Sequence, residues 1–256
     1  MRKIAKIALC FTLFASLSYA SEQFAMSDAD RAMYEELLEN NPADMMLASG
    51  GNLLEELGGD AAVAKFLGVK EDALAAYLAG FPRYLEKFGR VVSIDQMLQG
   101  MMHESGKKPY ALKSNEMFNM SSYVKSLANE QPINIDINAN EHMKKAYAFG
   151  KEVFDTKRGA RGLSCYSCHN PSVIGTILRT QPLPDISAKG NASAATWPAY
   201  RMTKSNLATL QNRFQGCMEN ALLAVIPLGS PEMTALEVYF THEAKGATMA
   251  LPGLKR

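Results

Sequence analysis

Cys165-Tyr166-Ser167-Cys168-His169 is the stretch from which the rest of the chain is read. Its C-x-x-C-H spacing is that of a c-type haem attachment site: two thiols add across the porphyrin vinyl groups, and the next imidazole ligates the iron from the proximal side. A thioredoxin-like redox pair would open a helix after a strand, and no such strand pattern precedes Cys165. A zinc site would need a fourth ligand besides Cys165, Cys168 and His169. The candidates, Cys217, His103, His142 and His242, do not form a second short ligand pair. One covalently attached haem c is therefore expected, in a mainly helical chain.

The N-terminus has the form of an export signal. Arg2, Lys3 and Lys6 make a positive start, Ile7 to Leu17 a short apolar core, and Ser18-Tyr19-Ala20 a small-residue cleavage site. Residues 1–20 are expected to leave as a signal peptide, which places the product in the periplasm. The apolar core is too short to span a bilayer and no later stretch is long enough, so no membrane span is expected. Cys10 lies inside that core behind the bulky Leu9, which argues against a lipid anchor, and it leaves with the signal. Of the remaining cysteines two belong to the haem segment, so Cys217 has no partner for an internal disulfide. The whole chain carries 27 Lys+Arg and 26 Asp+Glu. Losing three bases with the signal turns it slightly acidic, which points away from a nucleic acid partner.

Shifting the chain by 116 residues superposes Phe81-Pro82-Arg83-Tyr84 on Trp197-Pro198-Ala199-Tyr200, Gly100 on Gly216, Ser114 on Ser230, Glu116-Met117 on Glu232-Met233 and Tyr123 on Tyr239. Constant spacing across aromatic, Pro and Gly landmarks implies two cytochrome c-like domains related by internal duplication. The boundaries expected are 21–136 and 137–256, meeting in the extended segment Pro132 to Asn138. The same shift lays Ser49-Gly50-Gly51-Asn52-Leu53 on the haem segment, so the first domain is expected to lack haem. Helices with N-cap residues are expected at Ser27 to Asn40, Ser93 to His103, Ser114 to Glu130, Asn140 to Phe154, Thr203 to Asn220 and Ser230 to Ala244. No strands are expected, and Pro182 to Thr196 is read as a loop along the haem edge.

With His169 on one face of the iron, the other axial position is open to Met202, Met218, Met233 or Cys217. Met233 recurs as Met117, which favours core packing. Cys217 falls opposite Met101 and Arg213 opposite Met97, so thiol and charge occur together only in the copy with the haem segment. Arg213 lies one helical turn before Cys217, where a cation favours the thiolate. Cys217 is the favoured ligand, although most free cysteines are simply buried apolar residues.

The haem segment, Trp197-Pro198-Ala199-Tyr200-Arg201, Arg213-Phe214-Gln215-Gly216-Cys217 and Pro227-Leu228-Gly229-Ser230 together resemble the SoxA family of cytochrome c subunits, and the resemblance runs through nearly the whole mature chain. It implies a periplasmic L-cysteine S-thiosulfotransferase that joins thiosulfate oxidatively to a cysteine of SoxY in the SoxYZ carrier and works with a SoxX-type cytochrome c partner. By the same resemblance His169 and Cys217 are the axial pair, Cys217 is a persulfide cysteine, and Arg213 contacts substrate; Arg201 is a further candidate anion contact. Some members of the family hold a second haem in the first domain, and this sequence resembles the single-haem branch.

Three other classes compete: an electron-transfer cytochrome with methionine on the iron, a thiosulfate dehydrogenase that forms tetrathionate without a carrier, and a haem-based sensor. The spectrum of the iron separates the first and the reaction product the second. No additional signalling segment supports the third.

Overall fold

A computed structural model describes residues 32, 35–37, 39–173, 177–178, 181–188 and 190–255. The expected signal peptide, Cys10 and much of the expected helix at Ser27 to Asn40 lie outside the described residues.

The chain is mainly helical. Its first half runs α1 (Ala43–Glu55), α2 (Gly59–Leu67), α3 (Leu74–Leu78), β1 (Arg83–Leu85), β2 (Arg90–Val92), α4 (Ile94–Glu104) and α5 (Asn115–Ser126). The second half runs α6 (Glu141–Asp155), a hairpin of β3 (Ile177–Leu178) and β4 (Gln181–Pro182), β5 (Ala199–Arg201), β6 (Asn206–Ala208), α7 (Leu210–Ala221), α8 (Pro231–Glu243) and β7 (Gly253–Lys255). Helix starts follow their caps. Ser93 and Gln96 form a capping box before α4, and the side chains of Ser114, Asn140, Thr209 and Ser230 each accept a backbone N–H of the first turn that follows.

Two expectations change. Residues 203–209 are not the start of a helix, because Ser205 turns through positive φ into β6 and the helix begins only after the Thr209 cap. Short strands are also present. β1 pairs antiparallel with β2, while β5 pairs antiparallel with β6 and parallel with β7. Each of these strands is three residues long. That is too short for an alternating hydrophobic pattern to register in sequence.

From β1 onward the elements of the two halves keep the 116-residue spacing. β1, β2, α4 and α5 start at Arg83, Arg90, Ile94 and Asn115, and β5, β6, α7 and α8 at Ala199, Asn206, Leu210 and Pro231. Upstream the spacing changes. Gly50 of α1 lies against the backbone of Asn119 in α5, so closely that a Cβ would not fit, and Gly150 of α6 lies in the same way against Ala235 in α8. The helix that matches α6 is therefore α1, at a spacing of about 100. This corrects the reading of residues 49–53: they belong to a core-packing helix and do not stand where the haem segment stands. The segment between first helix and first strand is longer in the second half, and the haem segment lies within it.

The halves share one core, continuous from Leu54, Leu78, Met97 and Met117 to Met218, Met233 and Val238. The expected linker is extended, and it pairs with the chain after α8: Ile133 N–H donates to Ala247 O, Gly246 N–H to Ile133 O, and Pro132 forms a bridge with Thr248. Across the same boundary Gln96 Nε2 donates to Gly229 O at 2.7 Å, and Asn129 Nδ2 to Leu251 O at 2.6 Å.

Between α4, α5 and α8 lies a buried polar group of Asp95, Ser121, Lys125 and Glu237, the last accepting from Gln211 Nε2 at 2.8 Å. Burial raises the Asp95 carboxyl to about 7. The Ser121 hydrogen bond opposes the shift, Glu237 adds to it and Lys125 opposes it. Native Asp95 thus keeps its proton up to about pH 7, whereas the unfolded chain releases it near 4. The contribution to stability is full below the unfolded value and is lost as pH rises through that window. Asp95→Asn cannot ionise, so its melting temperature relative to the parent should climb between pH 4 and pH 8, by several degrees. A constant difference across that range would show that Asp95 titrates as it does in water.

Candidate haem and anion site

Ser164 and Ser167 open the haem segment as a tight turn. The Ser164 amide donates to Ser167 Oγ at 3.0 Å, the Ser167 amide to Ser164 Oγ at 3.2 Å, and the His169 amide to Cys165 O at 3.0 Å. The Tyr166 amide donates to Phe154 O, fastening the turn to the end of α6. Ala160 N–H donates to Leu222 O just after α7, so the approach to the haem segment is held against the helix that carries Cys217.

His169 Nδ1 lies 2.9 Å from Pro184 O. A carbonyl can only accept, so Nδ1 carries the proton and the lone pair of Nε2 is left for a metal. This bond comes from the segment expected to run along the haem edge, whose residues 183–188 have neither helix nor strand. Burial lowers the proton affinity of His169, partly offset by the Pro184 contact and reinforced by Arg213. Burial and Arg213 thus favour the neutral ring, the form that ligation requires.

Cys165, Cys168 and Cys217 are all free thiols and half-buried. Burial pushes Cys165 up to about 11, and nearby Cys217 pushes it in the same direction. A thiol at that value is not a ready ligand as thiolate. Among the described residues no three His, Cys, Asp or Glu side chains are grouped to hold a bare metal ion. A porphyrin brings its own four nitrogens and asks the protein for axial ligands alone. A half-buried thiol pair, an imidazole oriented by a carbonyl and a third sulfur within the field of the first fit a c-type haem.

Of the methionines considered for the iron, Met218 is buried with its Sδ accepting from Ile226 N–H at 3.5 Å, and Met233 is fully buried in the core. Met202 is half-buried in a short 3-10 turn. Cys217 sits in α7 with Arg213 one turn earlier, as the sequence suggested.

Beside these residues is a cavity of about 220 Å³, lined among others by Trp197, Arg201, Lys204, Arg213, Gly216 and Glu219. Arg201 Nε and Nη1 are buried without a hydrogen-bond partner. Burial lowers its guanidinium to about 10, Arg213 lowers it further, and Cys217 counteracts them. Three groups named from sequence thus share one electrostatic site. Orphaned buried donors are costly, and an anion accepting from them would relieve the cost.

The positions of the first half at the 116-residue spacing provide a comparison for this site. The positions 116 residues before Arg201, Lys204, Arg213 and Cys217 are Leu85, Phe88, Met97 and Met101. Leu85, Met97 and Met101 are buried core residues. The Phe88 ring closes over Gly100, whereas nothing stands within 4 Å of a Cβ placed on the matching Gly216. Where the first half is filled with hydrocarbon, the second has three cations, a thiol and open space. Lys204 was missed in sequence, although its pairing with Phe88 was visible.

Among the described residues no helix is long and apolar enough to cross a membrane. The family profile for the SoxA/TsdA cytochrome c domain matches residues 59–133, the part of the chain that has no cysteine. The L-cysteine S-thiosulfotransferase subunit SoxA of Hydrogenophilus thermoluteolus is 27% identical over 239 residues, spanning 87% of this chain and 85% of its own. The subunit of the same name from Chlorobaculum thiosulfatiphilum is 26% identical, over 91% of this chain and 78% of its own. A crystal structure of SoxXA from P. pantotrophus has the same fold at a TM-score of 0.71 and 22% identity, covering 84% of this chain and 79% of that one. By these comparisons the chain is similar to SoxA cytochrome c subunits along most of its length, and to the SoxA/TsdA cytochrome c domain over residues 59–133.

Proposed function

We propose that this chain is the haem c subunit of an L-cysteine S-thiosulfotransferase, joining thiosulfate to a cysteine of a carrier protein of the SoxYZ kind and working with a SoxX-type cytochrome partner. The observation that carries the reading is the replacement of Leu85, Phe88 and Met97 by Arg201, Lys204 and Arg213 around an open cavity, with Cys217 in the place of Met101 next to the cavity-lining Gly216. A pure electron carrier needs neither a cluster of half-buried arginines nor a thiol beside its cofactor. The chain is built as two cytochrome c-like domains from a duplicated plan, 21–136 without haem and 137–256 with one. It is exported to the periplasm after loss of residues 1–20.

Cys165 and Cys168 would hold the porphyrin through thioethers, and His169 and Cys217 would ligate its iron. Haem c, when bound, supplies the acceptor for electrons released in sulfur oxidation. The overall change is carrier-SH + S₂O₃²⁻ → carrier-S-S-SO₃⁻ + H⁺ + 2 e⁻: one S–S bond forms, the two sulfurs that join are oxidised, and the electrons pass to a cytochrome acceptor. Arg201 and Arg213 bind the dianion and offset its charge, and they do so strongly because the site is partly withdrawn from water. Cys217 presents sulfur next to the bound anion. Its neighbour Gly216 leaves the approach open, which a side chain would narrow.

The test is product analysis. The haem-loaded protein with its cytochrome partner, thiosulfate, a carrier thiol protein and a cytochrome acceptor should yield the carrier S-thiosulfonate, read by mass spectrometry. Tetrathionate as sole product, with the carrier unmodified, would reject the conjugating function and favour a dehydrogenase.

A further inference from the structure

The cavity described above is lined by three cations, Arg201, Lys204 and Arg213, and by one carboxylate, Glu219. Arg213, Gly216 and Glu219 follow one another at intervals of three and so share a face of α7, with Glu219 about 9 Å beyond Arg213 along the helix axis. The two arginines are half-buried and Glu219 is exposed, so the carboxylate stands at the solvent end of the cavity. It belongs to the last turn of α7, which has no basic residue, and the helix dipole disfavours an acid there. In the first half, where the Phe88 ring fills the space beside Gly100, the matching position is His103 in the last turn of α4. An acid therefore replaces a base where the helix favours the base, and it does so in the half that has the cavity. Lys113 Nζ, from the chain before α5, lies 3.9 Å from Glu219 Oε1, but the two side chains are 61% and 53% exposed. At that distance and exposure water screens the pair, and the carboxylate remains part of the cavity wall.

We infer that Glu219 is a specificity residue that limits the cavity to one dianion, so that bound thiosulfate is joined to the neutral thiol of the carrier and not to a second thiosulfate. The naming of both reaction partners rests on the function proposed above; the limit of one dianion does not. Size does not impose this limit, because a cavity of about 220 Å³ is several times the ~30 Å³ share of a water molecule and has room for two small oxyanions. Charge does impose it. Three cations against one carboxylate leave the lining with a net charge of +2, which one thiosulfate cancels. A second dianion would have to lodge beside Glu219 with no cation left to balance it, whereas a thiol arrives uncharged. The excluded reaction is 2 S₂O₃²⁻ → S₄O₆²⁻ + 2 e⁻, in which one S–S bond forms, the two sulfurs that join are oxidised, and the electrons pass to the same cytochrome acceptor. It differs from the conjugation in its second sulfur donor and in releasing no proton. A repulsive element set against the wrong partner is a general route to specificity.

The experiment compares the haem-loaded mature chain with Glu219→Gln, Glu219→Lys and the exposed control Glu141→Gln on α6. Isothermal titration calorimetry with thiosulfate at neutral pH and low ionic strength counts the bound anions. Ion chromatography and mass spectrometry then measure tetrathionate and carrier conjugate formed in the presence of the cytochrome partner and acceptor. The parent should bind one thiosulfate, Glu219→Gln should bind it ~2–5-fold more tightly, as for the loss of one exposed charge, and Glu219→Lys should bind a second. The share of tetrathionate in the product should rise in the same order, by ~5-fold or more in Glu219→Lys. The difference should shrink at ~1 M salt, where screening acts within ~3 Å. Glu141→Gln should match the parent, and circular dichroism and haem absorbance verify that each variant is folded and loaded. Parental stoichiometry, affinity and product ratio in both Glu219 variants, or a parent that already binds two thiosulfates, overturns the inference; carrier conjugation by the same parent would leave the thiosulfotransferase reading intact. A parent that leaves the carrier unmodified while the Glu219 variants gain anion binding upholds the charge limit and rejects the thiosulfotransferase reading.

Discussion

Cys217→Met should retain haem, fold and reducibility and yet lose the joining of thiosulfate to the carrier by ~10³-fold or more, the scale seen when a reacting sulfur or oxygen is removed from a working site. Methionine is the residue found at the matching position of the first half, Met101, so the fold accommodates it there. It is also an accepted axial ligand of c-type haem, which keeps the iron six-coordinate. The substitution therefore separates two things that most variants confound, since the cofactor environment survives and the thiol does not. Kinetics of carrier modification by mass spectrometry, with reduction of the haem followed in parallel, read the two effects independently. Parental conjugation rates in this variant would remove Cys217 from the chemistry.

Arg201→Leu should have opposite effects on stability and activity. Leucine is again the residue of the first half, Leu85, where it is part of the core. In the second half the arginine carries two buried donors without partners and faces Arg213. Removing an unsatisfied buried cation that a neighbouring cation repels should raise the melting temperature by about 2–4 °C, the response of a chain of this size to ~1 kcal/mol. The same change should lower kcat/KM for thiosulfate by ~10²-fold, through loss of a charge-assisted contact in a partly buried site. A variant that gains stability while losing turnover marks a residue kept for function at a cost to the fold. If stability and turnover fall together, Arg201 is a structural residue.

The candidate haem segment and the capped helices were legible in the sequence because their signals are local. The C-x-x-C-H spacing is set by the porphyrin, and the caps Ser93, Ser114, Asn140 and Ser230 mark helices whose first turns need an acceptor. Cys217 and Arg213 stood out once the 116-residue shift showed methionines in their places. The helices α1 to α3 were not legible: none has a side-chain cap, and Gly50, Gly51, Gly58 and Gly59 blur their pattern. The helical role of Gly50 depends on how closely α1 approaches α5, a tertiary fact without sequence signature. This is also why residues 49–53 were set against the haem segment, since the change from one spacing to another appears only when both helix pairs are seen packed. The β5–β7 pairing was out of reach for a related reason, since Arg201 and its strand partner Lys255 are far apart along the chain.

Sulfur from Cys217 on the haem iron is the central claim, and electron paramagnetic resonance of the oxidised, haem-loaded mature protein tests it most directly, with Cys217→Met as the comparison. The parent should give a low-spin thiolate-type signal that is replaced by a His/Met-type signal in the variant. A parent spectrum already of the His/Met type, and unchanged by the substitution, would contradict it and leave an electron-transfer cytochrome.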